Sequence, residues 1–271
     1  MHADKLVYDV GMCKGEDTEF YLSRGCRVVG IEANPLLVAS LHEKFASEVK
    51  RGQLRIVDKA ISDTPGRVRF VAYPDLPIWG SISAKFNERN AATGLVAEEI
   101  EVEAVTFEDV LREFGVPYYL KVDIEGLDMA CIEALHRVSE RPRYVSIESS
   151  VTAGAASIDD GFSELAHLWV LGYRRFKYVD QTSLRELNGT VLRSEGPPIT
   201  YLYREASSGP FGEETPGEWH GIDDAMREMR KLVRHQNTFG FGGLHSRRLS
   251  SRVIERLRRV KHTWYDLHAG F

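Results

Sequence analysis

The feature that most constrains this chain is an alternation. Strand-like runs at 5–10, 27–32, 54–57, 118–123, 144–148 and 176–179 take turns with helix-like stretches at 16–24, from Pro35 onward, and at 107–114, 127–138 and 162–171. Strand–helix–strand units with short links fold as right-handed crossovers, so repeating them builds a parallel sheet with helices on both faces. The punctuation agrees. Gly25 and Gly172 stop helices. Pro35 opens one, and Leu37, Leu41 and Phe45 then recur every four residues. Asp63-Thr64-Pro65-Gly66 reads as a turn into a strand at 68–71, and 74–83 as a loop rich in Pro, Gly and Ser. Ile100, Val102 and Ala104 alternate with glutamates as on a half-exposed strand. A last strand is expected at 200–203. The expected fold is α/β, a doubly wound and mostly parallel sheet, and no internal repeat is visible.

After Glu205 the character changes. Ser207-Ser208-Gly209-Pro210 reads as a linker, and Glu213, Glu214, Glu218, Asp223 and Asp224 form an acidic patch. Between Arg227 and Lys261 stand nine arginines and two lysines against Glu228 and Glu255. Two amphipathic helices are expected here. One carries Arg227, Arg230, Lys231 and Arg234 beside Met226, Met229 and Val233. The other carries Arg247, Arg248, Arg252, Arg256 and Arg259 beside Val253, Leu257 and Val260. The division expected is a main domain at 1–204 and a basic helical extension at 205–271, serving as a lid or acceptor-binding segment.

Several classes of protein are excluded. A content of 43% hydrophobic and 28% charged residues in 271 residues supports a full core without staples. Three cysteines, Cys13, Cys26 and Cys131, without a CxxC spacing suggest neither a disulfide framework nor a thiolate zinc site. A reducing, cytoplasmic setting fits this usage. No run reaches the length of a membrane span, and no secretory signal pattern opens the chain, so no membrane partner is expected. A net charge of −5 does not suggest a nucleic-acid coat protein.

The chemistry gathers at the ends of the expected strands, where doubly wound sheets bind ligands. Asp9-x-Gly11-x-x-x-Gly15 joins the first strand to the first helix. Its glycines permit close backbone approach, and the helix start faces an anionic group. It is not a dinucleotide fingerprint, because Cys13 stands where the second glycine belongs. Glu32 ends the second strand about twenty residues on, where an acid can bond both hydroxyls of a ribose. Together these point to a nucleoside ligand. Asp58, ending the third strand, can reach an adenine amino group, although turn aspartates are common. Asp123 and Glu125 in Leu120-Lys121-Val122-Asp123-Ile124-Glu125-Gly126 converge with Glu148 on the same mouth. These three carboxylates could hold a divalent ion or serve as a general base for a hydroxyl. Trp79 and Ser81 in the Pro/Gly/Ser loop, Tyr178 and Gln181 at a strand end, and His220 in the late segment are candidate substrate contacts.

These blocks, together with Glu32-Ala33-Asn34-Pro35, Ala60-Ile61-Ser62 and Val105-Thr106-Phe107-Glu108-Asp109, resemble the FkbM-type methyltransferases from about Val7 to about Glu148, and on toward Gln181. The resemblance implies a class I, Rossmann-like fold that binds S-adenosylmethionine and yields S-adenosylhomocysteine. It also implies methyl transfer to a hydroxyl of a sugar, glycan or secondary metabolite. By it, Asp9, Gly11 and Gly15 border the methionine, Glu32 the ribose and Asp58 the adenine, Asp123 lies near the methyl group, and Met12, Lys14, Ala33, Lys59 and Ala60 also belong to the cofactor site. Met12-Cys13-Lys14 departs from the small residues or Asn more usual in that loop. The acceptor implied is a small molecule or glycan, with an anionic one suggested by the basic tail. A homo-oligomer is compatible with the sequence. Three other readings stand beside this one: a dehydrogenase, a nucleic-acid methyltransferase using the basic tail, and a non-catalytic nucleoside-binding module.

Overall fold

Val7, Tyr8 and Val10 are fully buried, so the strand they form, β1 (Leu6–Val10), lies inside a sheet rather than at its edge. The structure, a computed structural model, describes residues 5–91, 94–124, 126–151, 157–204, 207–239 and 264–271. The remaining strands are β2 (Arg27–Ile31), β3 (Leu54–Val57), β4 (Ala60–Ile61), β5 (Gly66–Ala72), β6 (Glu98–Val105), β7 (Tyr119–Val122), β8 (Tyr144–Glu148), β9 (Arg175–Asp180), β10 (Val191–Leu192), β11 (Ile199–Thr200) and β12 (Tyr265–Gly270). The helices are α1 (Glu16–Ser23), α2 (Pro35–Lys44), α3 (Ala46–Lys50), α4 (Ala84–Ala91), α5 (Phe107–Phe114), α6 (Asp128–Ala134), α7 (Ile158–Val170) and α8 (Ile222–Phe239).

Seven strands form the main sheet in the order β3-β2-β1-β7-β8-β12-β9. All neighbours are parallel except β12, which runs antiparallel to both β8 and β9. The fold is the class I, Rossmann-like α/β arrangement expected. One face is covered by α5, α6, α7 and α8 through residues such as Phe107, Ile132, Leu165 and Met229. The other is covered by Phe20 and Tyr21 of α1, Leu41 of α2 and Phe45 after it, and by Leu184, Leu192, Tyr203 and Phe211 of the later chain. Local signals start the helices. Asn34 accepts a hydrogen bond from Leu36 N with Pro35 at the first position, and Thr106 and Ser157 accept from Asp109 N and Asp160 N.

A second sheet, β4-β6-β5, stands beside the first. Its exposed face carries the cross-strand pairs Arg67–Glu101 and Arg69–Glu99, at 3.4 and 3.3 Å. Val71 of β5 bridges Ser81, which holds the loop around Trp79 against the carboxyl ends of β1 and β2.

The end of the chain differs from expectation. Of the residues expected as a strand at 200–203 only Thr200 is in one, β11, which forms a two-stranded hairpin with β10 outside the main sheet. The strand that completes the sheet is β12, so a boundary at 204 cuts through the sheet and the last residues are not a helical extension. Its pattern is hard to read because Leu267 and Ala269 face one core while Asp266 and His268 are buried on the other side. Ser207-Ser208-Gly209-Pro210 is not a linker: Ser207 and Ser208 are 2% exposed. The first basic helix is α8, which packs on α7 and β9 through Ala225, Met229 and Val233. The second, with Arg247, Arg248, Arg252, Arg256 and Arg259, lies outside the described residues. Among the described residues no helix is long and apolar enough to cross a membrane.

Candidate active site

The site begins with a backbone crossing. Gly11 follows β1 at φ 86°, and a Cβ there would lie 1.8 Å from the carbonyl oxygen of Asp123, just after β7. Only glycine permits this contact. Gly11 N and Met12 N both donate to Ile31 O, at 2.9 and 3.1 Å, tying the loop to the end of β2. Cys13 then adopts φ 53°, the one non-glycine with positive φ among the described residues. That turn aims Cys13 N at Glu32 Oε2, 2.9 Å away, while Asn34 N donates to Glu32 Oε1, also at 2.9 Å. Glu32 is thus pinned by two amides and 9% exposed. Burial raises its proton affinity and the amides lower it, with burial the larger effect.

Beneath the loop lies Lys121. Its ammonium donates to Gly11 O at 2.8 Å and stands 3.1 Å from Asp9, 3.9 Å from Asp17 and 4.0 Å from Asp123. Burial works against its charge, but Asp9, Asp123 and Asp17 hold it protonated far above the ordinary lysine range. Asp9 also accepts from Thr18 Oγ1 at 2.6 Å. Asp17, in the first turn of α1, accepts from the Ser207 hydroxyl and from Ser208 N and Gly209 N at 3.0 and 3.1 Å. Burial, ahead of the opposing pull of Lys121, pushes Asp17 up to about 6. Asp266 of β12 lies 1% exposed, accepting from Gln181 Nε2 at 3.1 Å. Burial and then Asp123 push it up to about 8.

The cleft above these groups opens at the carboxyl ends of β1, β2 and β7. Of the residues expected there, Gly11, Met12, Glu32, Ala33, Lys59, Ala60, Ser81 and Asp123 line it. Asp9 sits below it, fully buried. Gly15 serves packing: a Cβ would come 2.5 Å from the Phe45 ring. Lys14 points outward, its carbonyl accepting from Lys44 Nζ at 3.0 Å. Asp58 is exposed and outside the lining, which passes instead to Lys59 and Ala60. Trp79 is half-buried beside the lining residues Pro77, Ile78 and Gly80 without joining them.

Three expected substrate contacts are elsewhere. Tyr178 alternates onto the α7–α8 face and is buried in that core. Gln181 is occupied with Asp266 and with Trp264 O. His220 pairs with Phe176 at the amino end of β9, opposite to the cleft, and its Nε2 is 3.4 Å from Glu228. Glu148 ends β8 and pairs in register with Asp266, but does not line the cleft. Glu125 lies outside the described residues. Among the described residues no three His, Cys, Asp or Glu side chains are grouped to hold a metal ion.

Sequence reasoning missed Lys121, Asp17 and Asp266. Lys121 had a signal: it shares a strand face with Asp123 and pairs in register with Asp9. Asp17, in the first turn of α1, carried no separate signal. Asp266 had no signal.

The sequence model of the methyltransferase FkbM domain matches residues 9–175. No curated protein matches the chain. Among solved structures, the chain is similar to precorrin-6Y C5,15-methyltransferase from Geobacter metallireducens, at 10% identity over 100% of this chain and 83% of that one, with a TM-score of 0.40. It is also similar to a SAM-dependent methyltransferase from Archaeoglobus fulgidus, at 11% identity over 99% of this chain and 86% of that one, with a TM-score of 0.40. A third likeness is to an rRNA methylase from Streptococcus thermophilus, at 11% identity over 73% and 84%, with a TM-score of 0.34.

Proposed function

The chain belongs to the FkbM methyltransferase family, and on that premise we propose that it moves a methyl group from S-adenosylmethionine to a hydroxyl oxygen of a small molecule or glycan. The observation that carries this reading is Glu32. Its carboxylate is held by Cys13 N and Asn34 N on the cleft wall, between the Gly11 loop and Ala33.

The donor set fits the cofactor. Glu32 suits a ribose diol. Ala33, Leu37, Ala60, Ile61 and Leu127 offer an apolar slot for a purine, and Asp17, Lys121 and Asp123 a charged end for an amino acid. When bound, the cofactor supplies an electrophilic methyl on a sulfonium. The chain's own residues do the rest. Phe70, Pro77, Ile78 and Ile82 form an apolar wall that keeps water from the reacting oxygen. Asp123 keeps 27% side-chain exposure beside the cleft, so its Oδ can take the acceptor's proton as the new bond forms. Lys121 holds the Gly11 carbonyl and stands beside Asp123, fixing both relative to one another.

An anionic acceptor would need basic residues at the cleft. Arg227, Arg230, Lys231 and Arg234 are exposed on or beside α8 turns outside the cleft lining, so this element does not supply them. The test is calorimetry. Wild type should bind S-adenosylmethionine, and Glu32→Ala should lose about 1.5–3 kcal/mol of affinity, the worth of a charge-assisted bond. Equal affinities would remove Glu32 from the cofactor site.

A further inference from the structure

One buried residue ties two walls of the cleft together. Asn34 is 1% exposed, and its backbone N donates to Glu32 Oε1 at 2.9 Å. Its side chain divides its two ends. Oδ1 accepts from Leu36 N at 3.1 Å and starts α2. Nδ2 donates to Pro77 O at 3.0 Å. Pro77 belongs to the insert between β5 and β6, which lines the same cleft through Pro77, Ile78, Gly80, Ser81 and Ile82.

The double attachment accounts for the residue type. Asparagine, aspartate and serine start helices about equally well. Asparagine alone of the three accepts at one side-chain atom and donates at another. A helix cap that also holds a carbonyl of a different element needs both. The far end of the insert is held separately. Ser81 exchanges two backbone hydrogen bonds with Val71, at 3.0 and 3.1 Å, and Asn87 Nδ2 donates to Ser81 O at 3.1 Å. Between these fastenings Gly80 lies on the Phe70 ring, where a Cβ would come within 2.4 Å.

We propose that Asn34 is a positioning residue that gives the Glu32 carboxylate and the Pro77–Ile82 wall one common reference, so that a ligand held by Glu32 also steadies the wall beside the acceptor. The proposal rests on the methyltransferase reading above. A diol on Glu32 fixes that carboxylate, and with it the Asn34 amide that donates to it. The wall that hangs from the same residue then loses its freedom to swing. Methyl transfer depends on such placement, because donor and acceptor must stay in line and dry.

The experiment combines amide hydrogen exchange with calorimetry on the full chain, with S-adenosylmethionine as the probe. In wild type the cofactor should slow exchange over residues 76–83. Asn34→Ser keeps the cap and the backbone donor but is too short to hold Pro77 O as well. It should speed exchange over 76–83 about tenfold in the free chain and weaken cofactor binding about three- to tenfold, the worth of one hydrogen bond. It should also abolish the cofactor's protection of 76–83, while exchange within α2 stays as in wild type. Asn34→Asp keeps the size and the cap and loses only the donor, so its exchange over 76–83 should rise in the same way even if serine disturbs the packing. Wild-type exchange over 76–83 in both variants overturns the proposal. So does faster exchange with wild-type affinity and full protection by cofactor, which would make the bond a fastening of the loop and nothing more. Failure of the wild type to bind S-adenosylmethionine would instead overturn the cofactor reading itself, and the proposal with it.

Discussion

Cys13 occupies a left-handed backbone position in the cleft wall, and burial, ahead of Glu16, pushes its thiol up to about 12. The thiolate is the reactive form. Cys13 should therefore alkylate much more slowly than a free thiol near pH 8, measured by mass spectrometry after iodoacetamide treatment. Rapid labelling would contradict the burial described. At Gly11 the constraint is steric. Alanine there must displace the Asp123 carbonyl and sit at positive φ, so Gly11→Ala should cost about 3 kcal/mol in urea denaturation.

Between elements, one tie is Arg24, at the end of α1 and 1% exposed. Its guanidinium donates to Leu192 O, Pro197 O and Glu214 Oε1, at 3.0, 2.6 and 2.7 Å. The same Glu214 oxygen accepts from Ser194 N and Glu195 N. One side chain thus ties Leu192, Pro197 and Glu214 to the end of α1. Arg24→Ala strands a buried carboxylate and should cost about 3–5 kcal/mol, whereas replacing both partners by apolar residues should cost less. A double-mutant cycle in guanidinium checks this. Ser207–Gly209 is separately clamped on Asp17, so the segment that reads as a linker packs against α1.

Across the whole molecule, one in-register row of polar residues crosses the sheet: Asp9, Lys121, Ser146, His268 and Lys177. Asp266 lies two residues from His268 on the same strand, and the titrations of both shape stability. Asp266 keeps its proton in the folded chain to about pH 8, while the unfolded aspartate ionises near 3.9. Between those values the folded state binds more protons, so raising the pH favours unfolding. His268, pushed down to about 3 by burial and then Lys177, acts in the opposite direction, but only below about pH 6.5. From about pH 6.5 to 8 the Asp266 effect therefore dominates over His268. The thermal midpoint of Asp266→Asn relative to wild type should rise across that window. A constant difference would show that Asp266 ionises normally.

What the chain determines on its own is local. Alternating patterns, helix caps, Gly11 and the acids Glu32 and Asp123 depend on short stretches, and they place the core strands and bring the Gly11 loop to the cleft that Glu32 and Asp123 also line. What only tertiary structure decides involves distant partners. Asp266 and His268 look like surface polar residues until β12 slides between β8 and β9 and buries them. Lys121 becomes the centre of the site because β1 and β7 lie side by side, bringing Asp9 across from it. His220 and Tyr178 carry suitable chemistry, yet strand direction puts one at the wrong end of the sheet and side-chain alternation puts the other on the wrong face. Burial and pairing across strands create these environments, and neither is a property of any short stretch of sequence.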